Sequence, residues 1–503
     1  MNELEKFETL CRRAQEIKYL GSIGALLSWD QQTKLPAKGG EYRAEQLTFL
    51  AGEMHRCSTD PVYGELLNDL STTELAQDPN SDRGATILEL KHRFEKNSKL
   101  PKRLVQELAR ATSLAQQVWV EARKEDDFSK FAPSLKQIFD LKREEAEAVG
   151  YDDTPYDVLL DDFEPGATTK EVAVVLDALT RELVPLINAV RDADFEPDIS
   201  ILRRNYPVEA QSEFGRLASA AIGFDFERGR LDTTNHPFCS EMGPDDIRIT
   251  TRYDEAFFNS SFFGTLHEAG HGIYEQGLRA DHYGLPPGSY CSLGIHESQS
   301  RLWENLVGRS RSFWDRFFPQ AQTFFPGALQ HVAKPDFFAA INDVRPSLIR
   351  VEADEATYNL HIVIRFELEK AVMQGELETD DLPAAWNAKY QEFLGIEPES
   401  DANGVMQDIH WSAGLIGYFS TYSLGNLYAS QFFEAAQAEL GDLDELFADG
   451  EFGVLKDWLN QNVHRRGACY RSKLLSETVC GQPLSHEPLM RHLRTKLSAI
   501  YGF

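Results

Sequence analysis

The sequence predicts a mainly helical protein with one small β-element. Three observations lead to that class. Apolar residues recur at helical spacing along most of the 503 residues. Strand-like alternation is confined to one short stretch. Turn-forming residues come in brief clusters and never as a long linker.

In chain order, the first helix is marked by Leu4, Phe7, Leu10 and Cys11, at i, i+3, i+6 and i+7. A second helical stretch, from about 102 to 148, is rich in Ala, Glu, Lys and Arg and continues the pattern through Leu104, Leu108 and Leu114. Thr168 and Thr169 read as a cap before Val172, Val175, Leu176 and Leu179. The strand is Ile247-Arg-Ile-Thr-Thr-Arg-Tyr253, whose β-branched residues alternate. As an edge strand it would line a cleft and pair with an extended peptide. Breakers fall at 36–40, 165–166, 194–207, 236–244 and 284–288. Two lobes flanking a groove are expected: an N-terminal helical lobe over 1–200 and a second helical lobe over 201–503, which carries the chemistry-bearing motif, working as a single functional unit.

Composition narrows the function. The formal net charge is −29 and the sequence pI about 4.9, which argues against nucleic acid and anionic membranes as partners. The six cysteines show no C-x-x-C spacing and read as reduced thiols. The N-terminus is charged, with no apolar signal segment, and no run approaches the roughly 18–20 apolar residues of a membrane span. A soluble, cytoplasmic protein is expected.

The chemistry-bearing motif is His267-Glu268-Ala269-Gly270-His271. On a helix, residues i and i+4 share a face, so both imidazoles reach one Zn²⁺ while Glu268 stands beside it as a general base. Gly270 and Gly272 each weaken a helix, which implies a close approach of backbone or of a neighbouring helix. A third protein ligand is needed, and Gly294-Ile-His-Glu-Ser-Gln-Ser-Arg301 offers two adjacent candidates, His296 and Glu297. Neighbouring helical residues point about 100° apart, so only one faces the metal. Two imidazoles and a carboxylate form the thermolysin-type set, which favours Glu297 and leaves His296 as a supporting or substrate-facing group. The plainer alternative is an i,i+4 ion pair between Glu297 and Arg301.

With these motifs in place, the chain resembles the carboxypeptidase Taq family of zinc metallocarboxypeptidases almost end to end. The resemblance rests on Trp29-Asp-Gln-Gln-Thr-Lys-Leu-Pro36, the Tyr156 to Gly166 stretch, His236-Pro-Phe238 and Asp246-Ile-Arg-Ile-Thr250. It continues through His267 to His271, His296 to Arg301, Ile349-Arg-Val-Glu-Ala-Asp354 and Gly404-Val-Met-Gln-Asp-Ile-His-Trp411. Two positions depart from the family pattern, Gly272 in place of Ala and Ser420 in place of Pro. The resemblance implies a large neurolysin-like helical fold with a deep active-site groove, one divalent metal per chain (Zn²⁺, or Co²⁺) and a homodimer. It implies release of C-terminal residues from peptide substrates with broad specificity, and the same ligands, His267, His271 and Glu297. It also lifts His410 and Tyr422 above a core-packing role, as donors to the oxyanion, with Tyr418 the weaker tyrosine. A carboxypeptidase must read a free carboxylate, for which a planar guanidinium is suited. Arg350 leads as a substrate-binding group, against a helical i,i+4 pair with Asp354; Arg248 and Arg301 are the reserves. His236 and Asp246 read either as groups that orient the zinc-binding imidazoles or as structural groups. The rival readings are a zinc oligopeptidase or dipeptidase on a similar fold, which needs no carboxylate-binding Arg, and a non-catalytic helical binding scaffold.

Overall fold

A computed structural model describes residues 1–503. Helices dominate, and the only sheet has three short strands. No helix is long and apolar enough to cross a membrane. The chain forms two compact units. One comprises Met1–Asn97, Pro197–Ile341 and Ala429–Pro483; the other comprises Ser98–Glu196, Asn342–Tyr428 and Leu484–Phe503. The chain therefore passes between units several times, which differs from the single division near residue 200 suggested by the breakers. Breakers mark local ends of elements, whereas units are defined by contacts far apart in sequence.

In the first unit, the opening helix runs Glu3–Thr33 and begins with a capping box between Asn2 and Glu5. Leu10 is buried with Leu67, Leu70 and Ile87, while Leu4 is exposed. The sheet comprises β1 (Gly229–Thr233), β2 (Cys239–Gly243) and β3 (Asp246–Thr251). Their order is β1-β3-β2, with β1 parallel and β2 antiparallel to β3. The strand read from sequence is thus central rather than an edge. Both its sides are already paired, so it cannot accept a peptide strand. β1 and β2 went unseen because they are short and lie among Gly, Pro and Asn residues that break the alternation.

Phe258–Gly277 is the helix that carries the H-E-x-x-H motif. Its first half is locked by aromatic packing. Phe258 and Phe262 lie 5.1 Å apart, and Phe214 is 5.0 Å from Phe262. Trp314 stands 5.3 Å from Phe262 and 4.6 Å from Phe337. Buried rings of this size dominate core energetics and hold the helix axis in place.

In the second unit, the helical stretch over 102–148 comprises two helices, Lys102–Glu125 and Phe128–Val149. Asp126 adopts a left-handed conformation with φ 55°, and Asp127 caps the next helix by accepting from the Ser129 N–H. The buried stripe of the first helix is Leu104, Ala111, Ala115, Trp119 and Ala122; Leu114 faces out. Thr168 caps Thr169–Arg191, and Val172, Leu176 and Leu179 are buried as their spacing predicts.

Candidate metal centre

The motif helix brings His267 and His271 onto one face, with ring centroids 4.9 Å apart. The glycines explain how neighbours get close. A Cβ on Gly270 would stand 2.6 Å from the Gln299 carbonyl oxygen, so only glycine lets the helix Leu293–Arg301 pack there. A Cβ on Gly272 would stand 2.5 Å from Phe224 and 3.3 Å from Ile249 of β3. The departure from alanine at Gly272 is therefore matched by a ring filling the methyl's place.

That close packing delivers Glu297. Its Oε2 lies 3.6 Å from His267 Nε2 and 3.4 Å from His271 Nε2. All the ligand atoms these three residues offer lie within 4.8 Å of one another. In a tetrahedral zinc site with bonds of about 2.1 Å, neighbouring ligand atoms lie about 3.4 Å apart, so the donor set fits such an ion. The pair with Arg301 is also present, because Glu297 Oε1 accepts from Arg301 Nε at 2.7 Å. One carboxylate oxygen anchors to the guanidinium and the other faces the imidazoles.

The outward ring nitrogens are fixed as well. His267 Nδ1 lies 2.9 Å from Glu304 Oε2. His271 Nδ1 lies 3.0 Å from the His296 carbonyl oxygen and 2.6 Å from His296 Nδ1. With both Nδ1 atoms donating, each Nε2 carries a lone pair towards Glu297. His296 Nε2 reaches Glu275 Oε1 at 2.8 Å, so both its ring nitrogens are engaged in supporting His271. Glu304 was not identified from sequence. Its only signal is a position seven residues, two helical turns, beyond Glu297. Of the two roles open to Asp246 and His236, orienting the imidazoles falls to Glu304 and the His296 carbonyl instead. Asp246 binds Arg248 at 2.7 and 2.8 Å in β3, and His236 sits exposed on the loop before β2. Arg248 is further committed to the Trp29 ring, 4.4 Å away.

Electrostatics divide the carboxylates by role. Burial raises the Glu268 pKa to about 7, although His267 opposes the shift. Burial also acts on Glu304, but Arg301 and His267 outweigh it and hold the group at about 2. Glu297 is likewise held well below the usual carboxylate range, with Arg301 and His267 overcoming burial. Burial and His296 lower His271 to about 3, the neutral form a ligand needs. For His267, burial pulls downward, but Glu297 and Glu304 produce a net rise.

Two expected results arise here. His267→Ala, His271→Ala or Glu297→Ala should abolish metal binding, measured as metal content after dialysis. Glu304→Gln should retain the site but weaken metal affinity by about 10–100-fold. Unchanged affinity in Glu304→Gln would show that His267 does not depend on it. The second result concerns pH. The raised Glu268 pKa means the folded protein binds this proton more tightly than the unfolded chain, whose Glu titrates near about 4.3. The penalty is therefore complete above about 7 and fades as pH falls towards about 4. In the metal-free protein, Glu268→Gln should be more stable by about 3 kcal/mol at pH 8 and by about 2 kcal/mol at pH 6. An equal gain at both values would refute the buried-carboxylate assignment.

In the second unit, a separate cluster gathers the other sequence candidates. Arg350 is buried, 4% exposed, in the short 3₁₀ turn Arg350–Glu352. It does not pair with Asp354. Its Nε and Nη2 donate to Asp408 Oδ1 at 3.1 and 2.8 Å, and Nη1 donates to the Tyr358 hydroxyl at 2.9 Å. Asp354 instead caps the helix Thr357–Gln374 through the Ala356 and Thr357 N–H groups, both at 2.9 Å. Fully buried Arg365 donates through Nε to Asp408 Oδ2 at 2.7 Å. Burial alone would raise the Asp408 pKa, but Arg365 and Arg350 hold it far below the usual range. His410 Nε2 lies 3.4 Å from the Tyr422 hydroxyl, and its ring packs 4.5 Å from Phe419 and 5.4 Å from Tyr418. The Arg350 guanidinium is 5.1 Å from the Tyr422 ring. Ser420, the second departure, opens the helix Ser420–Leu440, a first-turn position that also suits proline.

The carboxypeptidase Taq (M32) metallopeptidase model matches residues 9–497. The chain belongs to that family. It is thereby a metallocarboxypeptidase, a metal-dependent peptide hydrolase. It is 48% identical over 505 residues to thermostable carboxypeptidase 1 of Thermus thermophilus, covering 99% of each chain. Carboxypeptidase 1 of Bacillus subtilis is 38% identical, over 99% of this chain and 98% of that one. Among solved structures, an M32 carboxypeptidase from Deinococcus radiodurans R1 superposes with a TM-score of 0.96 at 40% identity, covering 99% of this chain and 100% of that one.

Proposed function

We propose that the enzyme holds one Zn²⁺ per chain on His267, His271 and Glu297, with Co²⁺ an alternative occupant. The reading is that it removes C-terminal residues from peptides with broad specificity, as a homodimer in the cytoplasm. The observation that carries it is the convergence of two imidazoles and one carboxylate oxygen beside a buried Glu268. A bound Zn²⁺ supplies Lewis-acid polarisation of the scissile carbonyl and eases deprotonation of water. Glu268, on the motif helix, takes the proton of the attacking water and delivers it to the leaving amine. Its raised pKa suits both halves of that task, since a base poised near neutrality gives up its proton readily. His410 and Tyr422 are assigned as donors to the developing oxyanion.

Arg350 is assigned to the substrate's terminal carboxylate. Two guanidiniums, Arg350 and Arg365, share the single carboxylate of Asp408, and burial together with Arg365 keeps His361 neutral. This excess of positive charge supports the reading, since a buried anion is stabilised there. Arg301, by contrast, faces two carboxylates, Glu297 and Glu304, and has no such excess.

The test is mass spectrometry of one peptide as free acid and as amide, with and without chelator. Stepwise loss of C-terminal residues from the acid alone, abolished by chelation, is expected. Equal cleavage of the amide would favour the oligopeptidase reading. Arg350→Ala should lower kcat/KM on the acid by roughly 30-fold, at about 1.4 kcal/mol per tenfold, and change the low rate on the amide little. If both substrates lose equally, Arg350 serves only to neutralise Asp408.

A further inference from the structure

The segment between the helices Leu382–Leu394 and Ser420–Leu440 carries Asp408, His410 and Tyr418 without any regular helix or strand. Turn-type backbone hydrogen bonds close it locally, among them Met406 N–H to the Asp401 carbonyl at 2.8 Å and Leu415 N–H to the His410 carbonyl at 3.0 Å, while side chains tie it to neighbouring elements. Its first half is held by Gln407, whose Nε2 donates to the Leu348 carbonyl at 3.0 Å and whose Oε1 accepts the Arg350 N–H at 2.9 Å. The Trp119 indole also donates to the Met406 carbonyl at 3.0 Å.

In its second half, one carboxylate gathers the hydrogen bonds that tie the segment to the neighbouring helix. Glu369, on the helix Thr357–Gln374, is 0% exposed. Its Oε1 accepts the Trp411 indole N–H at 2.7 Å. Its Oε2 accepts the Gly417 N–H at 2.8 Å and the Tyr156 hydroxyl at 2.6 Å. Three donors converge on one carboxylate; burial raises its pKa to about 7, and the hydrogen bonds from Tyr156, Gly417 and Trp411 oppose that rise and favour the ionised form. Gly417, at φ 91°, lies so close to the Leu159 carbonyl that a Cβ there would stand 2.8 Å from it. Neither tether can slide, and His410 is bracketed between Asp408 and Trp411.

We infer that Glu369 is a positioning residue for C-terminal recognition: by tethering Trp411 and Gly417 it sets where Asp408, His410 and Arg350 stand. This also gives a role to Tyr156, whose motif has no other part in the chemistry. The inference rests on the reading that Arg350 and His410 face substrate.

The experiment uses the full-length, metal-loaded protein with Glu369→Gln, an isosteric change that replaces one acceptor by a donor. Two readouts are taken. The first is the ratio of kcat/KM for a peptide free acid to that for its amide. The second is the Trp411 indole N–H resonance, assigned with Trp411→Phe. Expected are full metal content, a fall in the acid-to-amide ratio of at least about tenfold, and an upfield shift of the Trp411 signal with faster hydrogen exchange. A merely structural role would lower the melting temperature, leave the ratio unchanged and overturn the inference; so would an unmoved Trp411 signal. If Glu369→Gln does not fold, Tyr156→Phe retains the carboxylate and two donors and should give the same two changes at smaller size, with no change overturning the inference. If the wild type itself fails to distinguish acid from amide, the reading of Arg350 falls. That outcome is separate, because it is seen before any substitution is made.

Discussion

Glu268→Gln is expected to lose turnover by at least about 10²-fold while retaining one metal per chain. The residue is 6% exposed and lies between the two ligand histidines in sequence, but no ion pair ties it down. Glutamine keeps the volume and polarity and loses only the ability to accept a proton. Kinetics and metal content together check the result. A variant with nearly full kcat would show that another group takes the proton. A variant without metal would show that Glu268 belongs to the ligand set. The stability gain expected of the same substitution at pH 8 gives the loss of activity its physical contrast: a buried carboxylate with a raised pKa costs stability where it works.

Asp408→Asn should destabilise the protein by about 3–5 kcal/mol, the range for removing one partner of a buried ion pair. The large value follows from geometry. Asp408 is the only carboxylate bound by both Arg350 and Arg365, whose side chains are 5% and 0% exposed. Asparagine leaves two buried guanidiniums without a counter-charge. The sign with pH follows from the depressed pKa. The stabilisation is present above the unfolded-state value, near about 3.9, and is lost as pH falls below it. The deficit of the variant should therefore be full at pH 7 and shrink in acid, measured as the urea midpoint of activity and of helix content. A change under 1 kcal/mol at pH 7 would mean that the pair is solvated rather than buried.

Local periodicity carried much of the reading. Val172, Leu176 and Leu179 are buried as spaced, and the i,i+4 rule placed His267 and His271 on one face. Glu297 was chosen by ligand chemistry, and its other candidate, His296, supports His271 instead. What escaped was non-local. Asp408 is 58 residues from Arg350, so Arg350 was weighed against Asp354, a helix cap only four residues away. Glu304 stood unmarked among Leu302, Trp303, Asn305 and Leu306. The strand Asp246–Thr251 was visible by alternation, but its central place depends on two partners hidden among turn residues. Glu369 gave no signal at all, since three donors from two distant segments cannot be read from one helix.

The most direct test of the metal centre is a titration of the chelator-stripped protein with Zn²⁺, following bound metal and hydrolysis of a free-acid peptide together. The account predicts a folded apoprotein with no activity, followed by activity that rises with bound metal and saturates at one equivalent per chain. His271→Ala should show neither rise. Hydrolysis by the stripped protein at the full rate, or activity restored without metal bound at this site, would contradict it.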